Sequence, residues 1–174
     1  FNNQLKKNGL KKLFAIFNSR KNNYNYNQDM SKLIAAINMT LDGFCDHTAM
    51  IADDELHEHY NELLSNAGVL LYGRITYEMM ESYWPAAADK PAATRHDIEH
   101  SRWYSKVHKV VLSKTMNEAG LFNTTIISNN LADRINEIKK TPGKEILLFG
   151  SPSATHSLMQ LNLIDGYWLF VNPI

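Results

Sequence analysis

The sequence predicts an α/β fold in which a largely parallel sheet is crossed repeatedly by helices. Three observations predict it. Apolar runs of strand length alternate with stretches of helical periodicity from Lys32 onward. Proline and glycine mark the junctions, at Trp84-Pro85, Pro142-Gly143, Gly150 and Asp165-Gly166. Hydrophobic residues make up 44% and charged residues 21% of 174 residues, which suits one globular domain with an appended tail.

Leu33-Ile34-Ala35-Ala36-Ile37 is uninterrupted and apolar, so it reads as a buried strand. Asp53 and Asp54 are suited to cap a helix whose Leu56, Tyr60, Leu63 and Leu64 fall on one face. Val69–Tyr72 forms the second strand, and Ile75–Tyr83 the second helix, which Pro85 ends. Residues 86–95 read as a loop and His96–Tyr104 as a short helix. Val107–Leu112 and Thr124–Ile127 are the third and fourth strands. Asn130 caps a helix bearing Leu131, Ile135 and Ile138. Glu145–Phe149 is the fifth strand, Ser153 opens a helix with Ala154, Leu158 and Leu161, and Tyr167–Ile174 is the last strand.

The formal charge is zero but unevenly placed. Residues 1–29 carry Lys6, Lys7, Lys11, Lys12, Arg20 and Lys21 against Asp29, a balance of +5, so the remainder is −5. This Asn- and Lys-rich stretch reads as a disordered extension. Its Leu10, Leu13, Phe14, Ile16 and Phe17 have the alternative of a short amphipathic helix. Zero net charge argues against a nucleic-acid binder, and no apolar run reaches the roughly 20 residues that span a bilayer. With one cysteine, Cys45, the chain has no intrachain disulfide or CxxC site and suits a reducing, cytoplasmic setting.

Chemistry concentrates at three strand ends. The second strand stops at Gly73-Arg74-Ile75-Thr76, the third at Ser113-Lys114-Thr115, and the fifth at Gly150-Ser151-Pro152-Ser153. In a parallel sheet these ends share one edge, where ligands of such folds sit. Glycine permits close backbone approach, a new helix offers free N–H groups to an anion, and Arg and Lys add positive charge. Together they describe a seat for a phosphorylated nucleotide; each motif alone is more often a turn or a solvated charge, and the coincidence at three ends carries the reading. No GxGxxG or GxxxxGK[ST] motif occurs, and the seven histidines form no metal-ligating set. Asp42, in Thr40-Leu41-Asp42-Gly43-Phe44, reads as a turn aspartate or as a carboxylate over the ligand. Asp53 and Asp54 read as helix caps or as a carboxylate that pairs with an aminopyrimidine-like ring.

These motifs, with Tyr77-Glu78, Tyr83-Trp84-Pro85, Lys109-Val110-Val111-Leu112 and the segment Leu163–Pro173, occur in an order and spacing that resembles the dihydrofolate-reductase-like superfamily. Within it the chain is most similar to the RibD C-terminal domain family, from about Ser31 to Ile174. The resemblance implies a three-layer fold and a stand-alone NADPH-dependent reductase. It further implies a small heterocyclic or ribosylamino-pyrimidine-like substrate, as for the 5-amino-6-(5-phosphoribosylamino)uracil reductases of riboflavin biosynthesis. It places Ala36, Gly73, Arg74, Thr76, Ser113, Lys114, Gly150, Ser151 and Ser153 at NADPH, with Ser113 and Lys114 beside the adenosine 2′-phosphate. Asp42 and Asp54 fall at the catalytic end. A nucleotide-binding module without turnover is the alternative.

Three departures from the family pattern bear on this expectation. Asn172 stands where a basic residue or His is usual. The first loop reads Asp46-His47-Thr48-Ala49-Met50 and lacks the Pro-Trp of folate enzymes, so folate is not the expected substrate. The sequence stops before the Gly-rich hairpin expected after Asn172-Pro173-Ile174. That hairpin completes the sheet edge and often a homodimer interface, so the reading expects a truncated domain and, from its exposed edge, self-association.

Overall fold

The computed structural model describes residues 13–18, 30–45, 54–117 and 120–172, with only the backbone described for residues 13–18 and 54–58. Seven strands and five helices follow in the order β1 (Leu13–Asn18), β2 (Leu33–Thr40), α1 (Asp54–Asn66), β3 (Ala67–Gly73), α2 (Arg74–Tyr83), α3 (Arg95–Tyr104), β4 (His108–Leu112), β5 (Thr124–Ile127), α4 (Leu131–Lys139), β6 (Glu145–Phe149), α5 (Pro152–Gln160) and β7 (Gly166–Asn172). They build one sheet in the order β1-β7-β2-β6-β3-β4-β5. From β7 across to β5 every pairing is parallel. This is the predicted α/β class.

Period-two alternation sorts the strand residues between two cores. Ile34, Ala36, Leu70, Tyr72, Val111, Leu147 and Phe170 point to one face, where Tyr60, Leu63 and Leu64 of α1, Tyr77 of α2 and Tyr104 of α3 cover them. Leu33, Ala35, Leu71, Val110, Ile146 and Leu148 point to the other, against Ile135 of α4 and Ala154 and Leu158 of α5. Helices on both faces make three layers and explain why the central strands are apolar throughout.

Four local readings are corrected. Residues 13–18 are neither disordered nor helical: they form β1, antiparallel to β7 from Leu13↔Val171 to Asn18↔Gly166. A continuous apolar run does not distinguish helix from strand by its period, and the open edge of β7 supplies the backbone partners that decide it. The stretch 86–95 contains a 3₁₀ turn at Ala87–Asp89. It ends in a capping box in which Thr94 Oγ1 accepts from Asp97 N at 3.1 Å and Thr94 N donates to Asp97 at 2.9 Å. Helix α5 starts two residues earlier than expected, with Ser151 in place of Ser153 as the N-cap and Pro152 inside its first turn, where proline fits best. Leu161 lies just past the last turn of α5 and is 45% exposed, not on its buried face. Asp53, the 46–50 loop, the rest of the 1–29 segment and residues 173–174 lie outside the described residues. No helix among the described residues is long and apolar enough to cross a membrane.

The sheet changes direction between β2 and β3. Chain order runs outward through β3, β4 and β5, then returns to insert β6 between β2 and β3. Pairing of β2 with β6 stops at Ala36↔Phe149, whereas β2 continues beside β7 as far as Thr40↔Asn172. A crevice opens at the carboxyl ends where β6 stops short.

Candidate functional site

That crevice is a cleft of about 970 Å³. It runs from Ile37 and Asn38 on β2 across the ends of β6, β3 and β4 to Ser128, Asn129 and Asn130 after β5. Four strand spacings separate β2 from β5, so the cleft spans roughly 19 Å, enough for an extended dinucleotide. The three strand-end motifs converge here: Gly73, Arg74, Thr76, Ser113, Lys114, Gly150, Ser151 and Ser153 all line it. The only charged side chains among the described lining residues are Arg74 and Lys114, so the charge on its lining is positive.

The β3–α2 and β6–α5 corners are tied together by one hydroxyl. Ser151 Oγ accepts from Gly73 N at 2.9 Å and donates to Thr76 Oγ1 at 2.7 Å. A Cβ on Gly73 would stand 3.3 Å from that oxygen, so the corner closes this tightly only around glycine. Gly150 adopts a left-handed φ of 57° and Ser151 one of 53°, which turns the chain sharply from β6 into α5. Gly150 N donates to Ala36 O at 2.9 Å. Ala36 is fully buried, and its carbonyl sets the height of the Gly150 turn.

The helix ends facing the cleft differ from the one that does not. Neither α2 nor α5 has a side-chain cap or an acidic residue in its first turn. Their first N–H groups therefore keep their positive partial charge for a ligand. Helix α3, away from the cleft, has a complete capping box. Helix α4 also lacks a side-chain cap, but Asp133 in its first turn offsets its dipole.

Arg74 is half-exposed, and its Nη1 meets both carboxylate oxygens of Glu78, one turn along α2, at 3.1 and 2.9 Å. That leaves Nε and Nη2 for the cleft. An exposed i,i+4 pair is worth about 0.3–0.5 kcal/mol, whereas a charge-assisted bond to phosphate is worth about 1.5–3 kcal/mol, so a phosphate outbids Glu78. Ser113 is buried, and its Oγ accepts from Thr115 N at 3.2 Å and Met116 N at 3.1 Å. It shapes the turn that presents the exposed Lys114. The hydroxyls of Ser151 and Ser113 thus already carry hydrogen bonds within the walls of the cleft.

Asp42 stands apart. It is exposed, does not line the cleft, and accepts from the Thr40 hydroxyl, which with backbone N–H groups holds its carboxyl below the usual aspartate range. Thr40 N donates to Phe44 O at 2.8 Å and Gly43 N to Thr40 O at 3.0 Å, so the turn reading is the observed one. Asp54 opens α1, and its side chain lies outside the described residues.

Sequence reasoning missed the β2 end of the cleft. Asn38 Nδ2 donates to the Tyr60 hydroxyl at 2.6 Å, and Tyr60 packs at 4.7 Å between centroids against both Phe149 and Phe170. The available signal was a polar Asn38 at an inward position of an apolar strand. Ser128 and Asn129 were missed as well, since Asn130 reads as a helix cap and nothing more.

A mostly parallel sheet between two helix layers, with a cleft at its switch point, defines a three-layer α/β domain. The chain belongs to the RibD C-terminal domain family, a reductase-like family whose model matches residues 31–174. It is 30% identical over 157 residues to YyaP of Bacillus subtilis (strain 168), described as uncharacterized, covering 85% of this chain and 78% of that one. A search of solved structures finds a dihydrofolate reductase from Enterococcus faecalis complexed with NADP(H) and RAB-propyl. It is 13% identical, with a TM-score of 0.46, and the match covers 75% of this chain and 65% of that one, just under two thirds of its length.

Proposed function

We propose that this chain is an NADPH-dependent reductase acting on a small heterocyclic substrate of the ribosylamino-pyrimidine kind. The observation that carries the reading is the cleft itself, where two uncapped helix N-termini, Arg74 and Lys114 converge with no acidic side chain among the described lining residues. The first turns of α2 and α5 hold the pyrophosphate, and Arg74 with Lys114 holds the additional phosphate that separates NADPH from NADH. When bound, the nicotinamide supplies the hydride. The chain orients it toward the Asn38–Tyr60–Phe149 end and excludes water there with aromatic surface.

A second reading, binding without turnover, draws on one observation. Apart from Arg74 and Lys114, the ionisable lining groups among the described residues are Cys45 and Tyr60, and burial raises the pKa of both. Neither gives up or gains a proton readily near neutral pH.

Thermal denaturation with and without NADPH tests the shared part. At 100 times its Kd a ligand stabilises the folded state by about 2.7 kcal/mol, which for a chain of this size raises Tm by roughly 5–10 °C. NADH at the same concentration is expected to raise it clearly less. Equal shifts, or none, would remove the NADPH assignment. Consumption of NADPH with pyrimidine and pteridine substrates separates reductase from binding module.

A further inference from the structure

We infer that Trp84 is a positioning residue, which pins the side chain of Met80 in the wall of the cleft and so fixes the shape a ligand meets there. The inference rests on the reading of the cleft as a reductase site and names what keeps one of its walls rigid.

Met80 lines the cleft from α2, whereas Trp84, one turn further along, does not. With Tyr60 and Phe149, Met80 belongs to the core on the α1–α3 face of the sheet, and all three line the cleft. A methionine has three rotatable side-chain bonds and a soft thioether, so one that is not held adapts to whatever it touches. Met80 is held twice by the same residue. Trp84 N donates to Met80 O at 2.9 Å where α2 ends, and Trp84 Nε1 donates to Met80 Sδ at 3.2 Å. Residues four apart share a helix face, so the indole can reach back over the thioether. The indole is itself fixed. The His100 ring of α3 stacks on it with centroids 3.7 Å apart, and the Tyr83 ring meets it edge-on at 5.0 Å. An indole N–H drawn into a core finds a hydrogen-bond partner, and here that partner is a side chain in the wall of the cleft. The ordering of Met80 is therefore completed on folding, so a ligand does not bear its entropic cost on binding.

The test uses the full chain with carbon-13 in its methionine methyl groups, the Met80 signal being assigned by its loss in Met80→Leu. Trp84→Phe keeps an aromatic ring against His100 and removes the indole N–H. Without ligand, the Met80 methyl order parameter is expected to lie well above that of Met159, which is 49% exposed, and to fall toward it in Trp84→Phe. NADPH and NADH are then titrated into each variant. Trp84→Phe should weaken both by the same factor, about 2–10-fold, the usual cost of ordering one flexible side chain on binding. A contact to the additional phosphate would instead act on NADPH alone. In the Met80→Leu background, Trp84→Phe should change neither affinity by more than about twofold, because the thioether through which it acts is gone. An equally ordered Met80 methyl in the parent and Trp84→Phe overturns the inference. So does unchanged affinity for both nucleotides in Trp84→Phe, or a loss that persists in full in Met80→Leu. If the parent binds neither nucleotide, the reductase reading fails, and the methyl order read without ligand alone decides whether Trp84 pins Met80.

Discussion

Replacing Arg74 with alanine is expected to weaken NADPH binding by roughly 10–150-fold while leaving NADH within about twofold, the loss of about 1.5–3 kcal/mol of charge-assisted hydrogen bonding. The selectivity comes from geometry. The guanidinium sits at the first position of α2, anchored through Nη1 by Glu78, with its remaining donors free for the cleft. Arg74→Lys should recover only part of the affinity, because an ammonium keeps the charge and loses the planar fork. Lys114, on a turn shaped by Ser113, adds a point charge and should contribute less. Equilibrium titration of both cofactors into each variant reads this out. An equal loss for NADPH and NADH would place Arg74 on the pyrophosphate and not on the additional phosphate.

The largest stability effect is expected at the opposite edge of the sheet. Lys139 Nζ lies 2.5 Å from Asp165 Oδ2 and 2.9 Å from Leu163 O, to which it donates. The same carboxylate oxygen accepts from Leu33 N at 2.8 Å, and Asp165 N donates to Leu33 O at 2.9 Å. The two side chains are 10% and 13% exposed. This pair therefore locks the end of α4 to the starts of β2 and β7, the strand that carries Asn38 and its neighbour. Breaking a buried pair by removing one partner costs about 3–5 kcal/mol, since the other charge stays buried and uncompensated. In a chain of this length that lowers Tm by roughly 6–20 °C. Asp165→Ala should be the more damaging, because it also strips Leu33 N–H of its acceptor. Lys139→Met combined with Asp165→Asn should recover much of the loss of Lys139→Met alone. A Tm within about 2 °C of the parent for Asp165→Ala would show that the pair contributes nothing net. Neither residue lines the cleft, so NADPH affinity at low temperature should hold in any variant that folds.

The order of strands and helices from β2 onward is legible in the sequence because the central strands are apolar on both faces and several junctions carry a breaker. The convergence of Gly73-Arg74, Ser113-Lys114 and Gly150-Ser151 is legible for the same reason, since parallel strands put their carboxyl ends on one edge. What escapes local reading depends on contacts between distant segments. The oxygens of Ser151 and Ser113 are engaged within the scaffold as well as lining the cleft, Ser151 with a residue 78 positions away. Ala36 likewise holds the distant Gly150 turn through its carbonyl. The Asn38–Tyr60 pair depends on the rotational phase of α1 over the sheet, which periodicity sets only to within a residue or so. The strand at Leu13–Asn18 depends on an edge of β7 that no window around residue 13 contains. Asp42 has a turn signal and a catalytic signal in the same five residues, and the hydrogen bonds within the turn satisfy the first.

The central claim is that NADPH lies along the carboxyl edge of the sheet with its phosphates on the first turns of α2 and α5. Titration with NADPH, followed by the backbone amide shifts of the isotope-labelled chain, tests it most directly. The largest saturable shifts are expected at Gly73, Arg74, Ile75 and Thr76 and at Ser151, Ser153 and Ala154, with Thr94–Asp97 at the capped start of α3 unmoved. Saturable binding that leaves both cleft-facing helix starts unshifted, or that shifts α3 instead, would contradict it.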